Sequence, residues 1–332
     1  MGIQSAICGN TRKNPGEMYY FMTRFILCSS WLIISITGTD GFLMLHLFPV
    51  NTKMPTIPAL GEKLRYLRSQ LYSGRIRQLI RKTGVNRILS KPYWKLVHLL
   101  SEKKQVHKIT NHEISFWAST FTEFMRFRDH DLVGERLIIK DLLTTLNSND
   151  IFYDIGANVG TYSCFIAAEL GPGKTVAFEP EPDNATHLKE NLKLNDLDAD
   201  VIQVALSDTD GTIDMALTGD EAGEGEHAIA TDDNERTLEV ETAKGDTIIE
   251  ERGLPKPTVV KIDVEGAELS VLRGLRKTLH ENCRLAYVEV HPEKIKNFGG
   301  EACEVEAFLM GAGFEVTEIS QRGGEIFLRA SK

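Results

Sequence analysis

Asp154 to Gly160, read as D-I-G-A-N-V-G, is the stretch that decides the fold. A short apolar run, Ile151 to Tyr153, precedes it and a helix-like run follows from Thr161. An acid closing a buried strand, then glycines on the turn into a helix, is a site for an adenosine-bearing cofactor. Gly156 and Gly160 let a ligand approach the backbone closely, and a helix N-terminus offers free N–H groups.

Downstream, strand and helix signals alternate, which implies a parallel sheet covered on both faces. Strands are expected over Ile151 to Ile155, Thr175 to Glu179, Asp200 to Leu206, Thr258 to Asp263 and Leu285 to Val290. Helices are expected over Tyr162 to Leu170, Asp183 to Leu194, Glu265 to Leu279 and Glu301 to Met310. In the third helix Leu269, Leu272, Leu275 and Leu279 form a core-facing stripe. Phe314 to Ile319 and Glu325 to Arg329, joined through Gly323 and Gly324, read as a terminal antiparallel hairpin. Residues 212–241 interrupt the alternation with an acidic, Gly-rich insert containing Asp220, Glu221, Glu224 and Glu226, read as a surface hairpin or loop.

The loop departs from a dinucleotide fingerprint, because Asn158 stands where the middle glycine belongs and Gly160 arrives one residue early. That disfavours nicotinamide, and no G-K-[ST] follows to make a phosphate-cradling loop. Glu179 closes the next strand in A-F-E-P, nineteen residues after Gly160. A carboxylate so placed accepts hydrogen bonds from both ribose hydroxyls of an adenosine.

Around this core the 332-residue chain has a net charge of −9 that hides an asymmetry. Residues 1–150 carry 21 basic against 11 acidic residues, and residues 151–332 carry 17 against 36. An acidic second half argues against a nucleic-acid groove, which needs clustered Lys and Arg. Five scattered cysteines without C-x-x-C spacing speak for reduced thiols in a cytoplasmic setting and against a disulfide framework.

Three regions are expected: 1–53, 54–149 and 150–332. The first holds two apolar runs, Phe25 to Thr37 and Phe42 to Val50, each shorter than the roughly 20 residues of a membrane helix. It reads as a signal-like or anchor segment, a marginal membrane helix, or an extension outside the working protein, with Met54 opening the soluble chain. In the second, Glu62 to Lys95 carries one acid and ten basic residues, with Leu64, Leu67, Leu71, Ile76, Leu79 and Ile80 near helical spacing. This basic amphipathic stretch suits an anionic membrane surface, or a packed helix with a solvated face. Residues 109–149 continue as a mixed helical pattern whose Phe116, Trp117, Phe121, Phe124 and Phe127 could form a lid or cap.

Four blocks carry a family resemblance: F-Y-D-I-G-A-N-V-G-T-Y-S (152–163), V-A-F-E-P (176–180), V-A-L-S-D-T-D-G (204–211), and V-K-I-D-V-E-G-A-E (260–268) followed by V-L-R-G-L (271–275). V-E-V-H-P (288–292) adds a fifth. Over about Phe152 to Phe327 the chain resembles the FkbM family of S-adenosylmethionine-dependent methyltransferases. The resemblance implies an α/β class I, Rossmann-like fold with a seven-stranded sheet ending in an antiparallel hairpin. It implies S-adenosylmethionine held by Asp154, Gly156, Asn158, Gly160, Thr161, Glu179, Ser207 and Asp208. The acceptor it implies is a hydroxyl of a sugar, glycan or secondary metabolite.

Methyl transfer to an alcohol needs positioning and a base. Ligands in open α/β sheets bind outside the carboxyl ends of the strands, which brings Asp263, Glu265, Glu268 and His291 into contention. Glu265 and His291 are the candidate bases, His291 because an unperturbed imidazole titrates near neutrality. Asp263 is expected near the methionine moiety by family analogy. Glu268 reads equally as a helix-start acid favoured by the dipole. No metal is assigned, although Asp263, Glu265 and His291 offer a ligand set for a divalent ion. Lys261, inside a buried strand, pairs with a neighbouring carboxylate or meets substrate. The rival reading is a membrane-surface interaction protein with a catalytically idle methyltransferase-like scaffold.

Overall fold

Short runs buried on both faces, F-Y-D-I, T-V-A-F and L-A-Y-V-E-V, build the centre of the molecule. Such continuous apolar strands suit a parallel sheet covered on both sides. The computed structural model describes residues 22–28, 31–38, 41–49, 57–71, 85–216 and 237–332. In chain order they form β1 (Met22–Cys28), β2 (Trp31–Gly38), β3 (Gly41–Pro49), α1 (Ile57–Leu71), α2 (Val85–Leu100), β4 (Lys104–Ile109), β5 (His112–Trp117), α3 (Phe121–Phe127) and α4 (Arg136–Thr145). Then come β6 (Phe152–Ile155), α5 (Thr161–Leu170), β7 (Thr175–Phe178), α6 (Pro182–Leu194), β8 (Asp200–Ile202), β9 (Ala205–Ser207), β10 (Gly211–Ala216), β11 (Thr237–Lys244) and α7 (Gly245–Arg252). The chain closes with β12 (Val259–Ile262), α8 (Glu268–Gly274), α9 (Arg276–Glu281), β13 (Leu285–Val290), α10 (Ala302–Gly311), β14 (Glu315–Arg322) and β15 (Glu325–Ser331).

The chain divides into two compact units. One holds the described residues up to Ser90 with Leu99–Ser101, and the other holds Lys91–His98 and Glu102–Lys332. In the first, β1, β2 and β3 form an antiparallel sheet in that order. The apolar runs read as signal-like or membrane-helix candidates are therefore strands. Among the described residues no helix is long and apolar enough to cross a membrane. Met54 lies outside the described residues, as do Ile76, Leu79 and Ile80 of the basic stretch.

In the second unit the main sheet runs β8-β7-β6-β12-β13-β15-β14. The first five strands are parallel, β15 returns antiparallel to β13, and β14 pairs antiparallel with β15. This is the class I methyltransferase order. The chain order reverses between β6 and β12, the crevice where open α/β sheets place ligands. Apolar side chains fill both faces, with Val260, Ile262, Leu272 and Leu275 in one core and Phe152, Phe165, Leu188 and Tyr287 in the other.

Three expectations need correcting. β4 and β5 form a hairpin over residues 104–117, so the mixed helical pattern expected from 109 does not hold at its start. Period-two burial in I-S-F-W and a turn at Thr110, φ 52°, outweigh the aromatic spacing. Its free edge is not left open, since Asn195 and Asn191 Oδ1 accept the Ser115 and Trp117 N–H at 2.8 Å each. Phe116, Phe124 and Phe127 are interior residues, with Phe116 stacked on Phe127 at 4.4 Å, so they form core instead of a lid.

The Asp200 to Leu206 strand divides, because β9 leaves the main sheet to pair with β11. The Glu265 to Leu279 helix starts only at Glu268, since Glu265 and Gly266 adopt φ 54° and 109°, and it breaks at Leu275. The compact unit that contains residues 150–332 also contains β4, β5, α3 and α4. The acidic insert forms the arms β10 and β11, while Asp220, Glu221, Glu224 and Glu226 lie outside the described residues.

Candidate functional site

Strand ends β6, β7, β12 and β13 open into one cleft of about 1240 Å³, its mouth included. The β7 end supplies Glu179, 6% exposed. Its Oε2 accepts the Asn158 N–H at 2.7 Å and its Oε1 accepts the Glu181 N–H at 3.0 Å. Each carboxylate oxygen thus keeps lone-pair capacity for a further donor from the cleft. Burial pushes the Glu179 carboxyl up to about 7, against the lowering effect of those backbone hydrogen bonds. Beside it the walls are apolar, from Phe178, Val204, Leu206 and Met215.

The glycine turn is arranged differently from its sequence reading. A Cβ on Gly156 (φ 75°) would stand 1.8 Å from the Asp263 carbonyl oxygen, so the glycine admits the neighbouring strand end more than a ligand. Gly160 (φ 87°) packs against Leu188 and does not line the cleft. Asp154 is fully buried below it. Its Oδ2 accepts the Ser163 N–H (3.0 Å) and hydroxyl (2.6 Å), and its Oδ1 pairs with the Lys261 Nζ at 3.3 Å. Gly156, Asn158, Thr161, Glu179 and Ser207 face the cleft, whereas Asp154, Gly160 and Asp208 do not. Asp154, 0% exposed and facing Lys261, stands behind the cleft lining.

Lys261 ties the two central strand ends together. Its Nζ donates to the Gly156 carbonyl at 3.0 Å, pairs with Asp263 Oδ2 at 3.5 Å, and lies 4.9 Å above the Tyr162 ring. Asp263 is drawn below its usual range even though burial, the largest influence, raises it, because Lys261 and His291 together outweigh burial.

At the β13 end His291 sits between two carboxylates. Nδ1 meets Glu268 Oε1 at 2.8 Å and Nε2 meets Glu265 Oε2 at 3.2 Å. Glu268 is fully buried and its Oε1 also accepts the Gly266 N–H at 2.9 Å. Burial alone would lower the imidazole, but the Glu268 hydrogen bond and the charges of Glu265 and Asp263 lift it to about 9. His291 is therefore an imidazolium at neutral pH, and its expected near-neutral titration does not hold. Glu265 moves the other way from a free carboxylate: burial and Asp263 raise it, opposed by His291 and Lys294.

The three residues named as a ligand set do converge, with ligand-capable atoms of Asp263, Glu265 and His291 within 4.8 Å of one another. Glu265 Oε2 already serves His291 and Lys294, so a cation there would displace both.

Sequence reasoning missed six residues that also line the cleft, Arg126, Glu135, Tyr162, Glu289, Arg322 and Glu325. Glu289 stood within V-E-V-H-P, and Arg322 and Glu325 flank the Gly323, Gly324 turn at the strand-end rim. Arg126 and Glu135 had no local signal.

Three comparisons bear on this site. Residues 154–316 match the family described as Methyltransferase FkbM domain. The hexuronic acid methyltransferase AglP of Haloferax volcanii is 34% identical over 184 residues, covering 54% of this chain and 73% of that protein. The 31-O-demethyl-FK506 methyltransferase FkbM of Streptomyces tacrolimicus is 32% identical over 200 residues, covering 52% and 75%. Among solved structures, a methyltransferase FkbM from Methylobacillus flagellatus has a TM-score of 0.42 at 15% identity, covering 63% of this chain and 53% of that one.

Proposed function

Because the chain belongs to the FkbM family of S-adenosylmethionine-dependent methyltransferases, we propose that it methylates a hydroxyl of a sugar, glycan or secondary metabolite. When bound, S-adenosylmethionine supplies a methyl group activated on a sulfonium. The chain's donor set fits that cofactor. A buried carboxylate with open lone pairs, Glu179, faces the cleft beside apolar walls, and further along the strand ends Asp263 and Glu265 offer negative charge to a cationic centre.

Glu179 accepts from the ribose hydroxyls, the turn residues Gly156, Asn158 and Thr161 line the approach, and Ser207 closes the base side. Asp154, Gly160 and Asp208 act from behind this lining. Asp263 orients the cofactor's methionine end. Glu265, raised by burial and by Asp263, takes the proton of the acceptor hydroxyl, since a base works best when its pKa approaches the working pH. His291, held by Glu268, keeps its own proton and balances the carboxylate charge as the hydroxyl loses its proton. The observation that carries this reading is the placement of one acid for the ribose and a second acid with an imidazolium along one row of strand ends. The relatives named for a hexuronic acid and for a 31-O position support an oxygen acceptor.

The test has two arms. Saturating S-adenosylhomocysteine, at about 100 times its Kd, stabilises the folded state by roughly 2.7 kcal/mol, a Tm rise of about 5–10 °C. Methyl-labelled cofactor, incubated with the protein and an extract of the source cell, should deliver label into an alkali-stable ether. No thermal shift in a folded sample refutes the cofactor; label on nitrogen or carbon refutes the hydroxyl acceptor.

A further inference from the structure

Among the described residues, two buried polar atoms of the cleft residues have no hydrogen-bond partner. Tyr162 is 4% exposed and its Oη has no partner; Glu135 is 7% exposed and its Oε2 has none. Both line the same cleft as Glu179. Burial first and the Glu135 charge next hold the Tyr162 phenol well above its usual range. A buried polar group without a partner costs about 1–3 kcal/mol, so a pair facing a shared space indicates a ligand that completes them.

Glu135 is held there by an unusual backbone. Leu132, Val133 and Gly134 have φ of 51°, 58° and 91°, three left-handed residues in succession. Each non-glycine residue of that kind costs about 1–2 kcal/mol. Arg322 fastens the segment by donating from Nη1 to the Val133 carbonyl, across 189 residues of chain. The other two nitrogens of Arg322 are also engaged, Nη2 with Glu289 Oε1 at 2.8 Å and Nε with Glu325 Oε2 at 3.2 Å. Arg126 Nη1 donates to Glu135 Oε1 at 3.1 Å. Arg322 thus has no open two-nitrogen fork for a carboxylate or phosphate. Burial lifts the Glu289 carboxyl to about 9, so of the two acids beside Arg322 only Glu325 opposes an anion, whereas a hydroxyl both donates and accepts.

We propose that Glu135 and Tyr162 form the acceptor subsite and bind a second hydroxyl of the acceptor, which makes the substrate an uncharged polyhydroxylated saccharide. This rests on the methyltransferase reading and adds the substrate class. Glu135 and Arg322 lie outside residues 154–316 and Tyr162 inside them, so a flanking segment and the family-shared core read the acceptor together.

The full-length protein, saturated with S-adenosylhomocysteine, is titrated by saturation-transfer NMR against a panel of methyl glycosides: glucoside, galactoside, mannoside, fucoside, rhamnoside and xyloside, together with methyl glucuronoside and glucose 6-phosphate. At least one uncharged glycoside should bind, and both Glu135→Gln and Tyr162→Phe should weaken it by about tenfold, the effect of roughly one hydrogen bond. S-adenosylhomocysteine affinity should stay within about twofold, since both groups are assigned to the acceptor. Binding of the charged sugars alone, of none of the panel, or of a neutral glycoside with equal strength in both variants overturns the assignment. So does loss of S-adenosylhomocysteine affinity in either variant. Absence of S-adenosylhomocysteine binding in the unmodified protein defeats the underlying methyltransferase reading instead.

Discussion

Replacing Lys261 by Met tests whether the centre of the cleft is held by charge. The substitution keeps the stem's bulk and removes one ammonium from a position 4% exposed. Asp154 Oδ1, fully buried, faces that ammonium at 3.3 Å and has no hydrogen-bond partner. At an effective dielectric of about 20, two charges at this separation attract by roughly 5 kcal/mol, before desolvation is counted. Asp263 stands at 3.5 Å, but its side chain is 25% exposed and water shares its charge. The loss should therefore be dominated by Asp154, stranded as an uncompensated buried carboxylate, and should amount to about 3–5 kcal/mol. The Asp154→Asn, Lys261→Met double variant removes both charges, so its cost should fall below the sum of the single costs by about 2 kcal/mol or more. Urea titration reads this as a lowered midpoint at unchanged slope. The carboxylates hold the Lys261 ammonium above its ordinary range despite burial. Its stabilisation is thus fully present below the unfolded lysine value of about 10.4 and is lost only at higher pH, so buffers from pH 6 to 9 should give the same coupling. Single costs that add within about 0.5 kcal/mol in the double variant would refute the network as the tie between β6 and β12.

Two further outcomes follow from the cofactor end. With the Glu179 carboxyl lifted to about 7, S-adenosylhomocysteine affinity should drop by up to about tenfold per pH unit below that value, and Glu179→Gln should bind weakly with no such slope. The same shift has the opposite sign for the unliganded fold: the folded carboxyl keeps its proton above the unfolded value of about 4.3, so that contribution to stability falls as pH rises from there toward 7. Calorimetric titrations across pH 5.5 to 8.5 check the first statement and thermal melts without ligand the second. Gly156→Ala should cost about 2–5 kcal/mol, combining a left-handed backbone with a Cβ 1.8 Å from the Asp263 carbonyl. Gly323→Ala, with φ 60° and nothing within 4 Å, should cost only about 1–2 kcal/mol in the same melts.

What could be read from the chain and what could not divides along a physical line. The five parallel strands were legible because each is a short apolar run bounded by turn residues, and Glu179 was legible because a strand end, a turn and a helix fix its distance from Gly160 along the chain. The reasons attached to individual residues were less secure. D-I-G-A-N-V-G shows that a glycine is needed at 156 but not that the Asp263 carbonyl occupies the space, since that carbonyl arrives from a strand more than 100 residues away. The acid at 154 looks the same in sequence whether it faces a ligand or a lysine; only the pairing of β6 with β12, Asp154 opposite Lys261, distinguishes them. Similarly, His291 keeps an ordinary imidazole pKa on paper until Glu268 and Glu265 close on its two nitrogens. The acceptor end is the extreme case. Glu135 and Arg322 are brought to one cleft by the antiparallel return of β15 and β14, and no spacing rule joins positions so far apart. If Glu135 reads the acceptor as proposed, relatives that share the stretch matching residues 154–316 can diverge in substrate through a segment outside it.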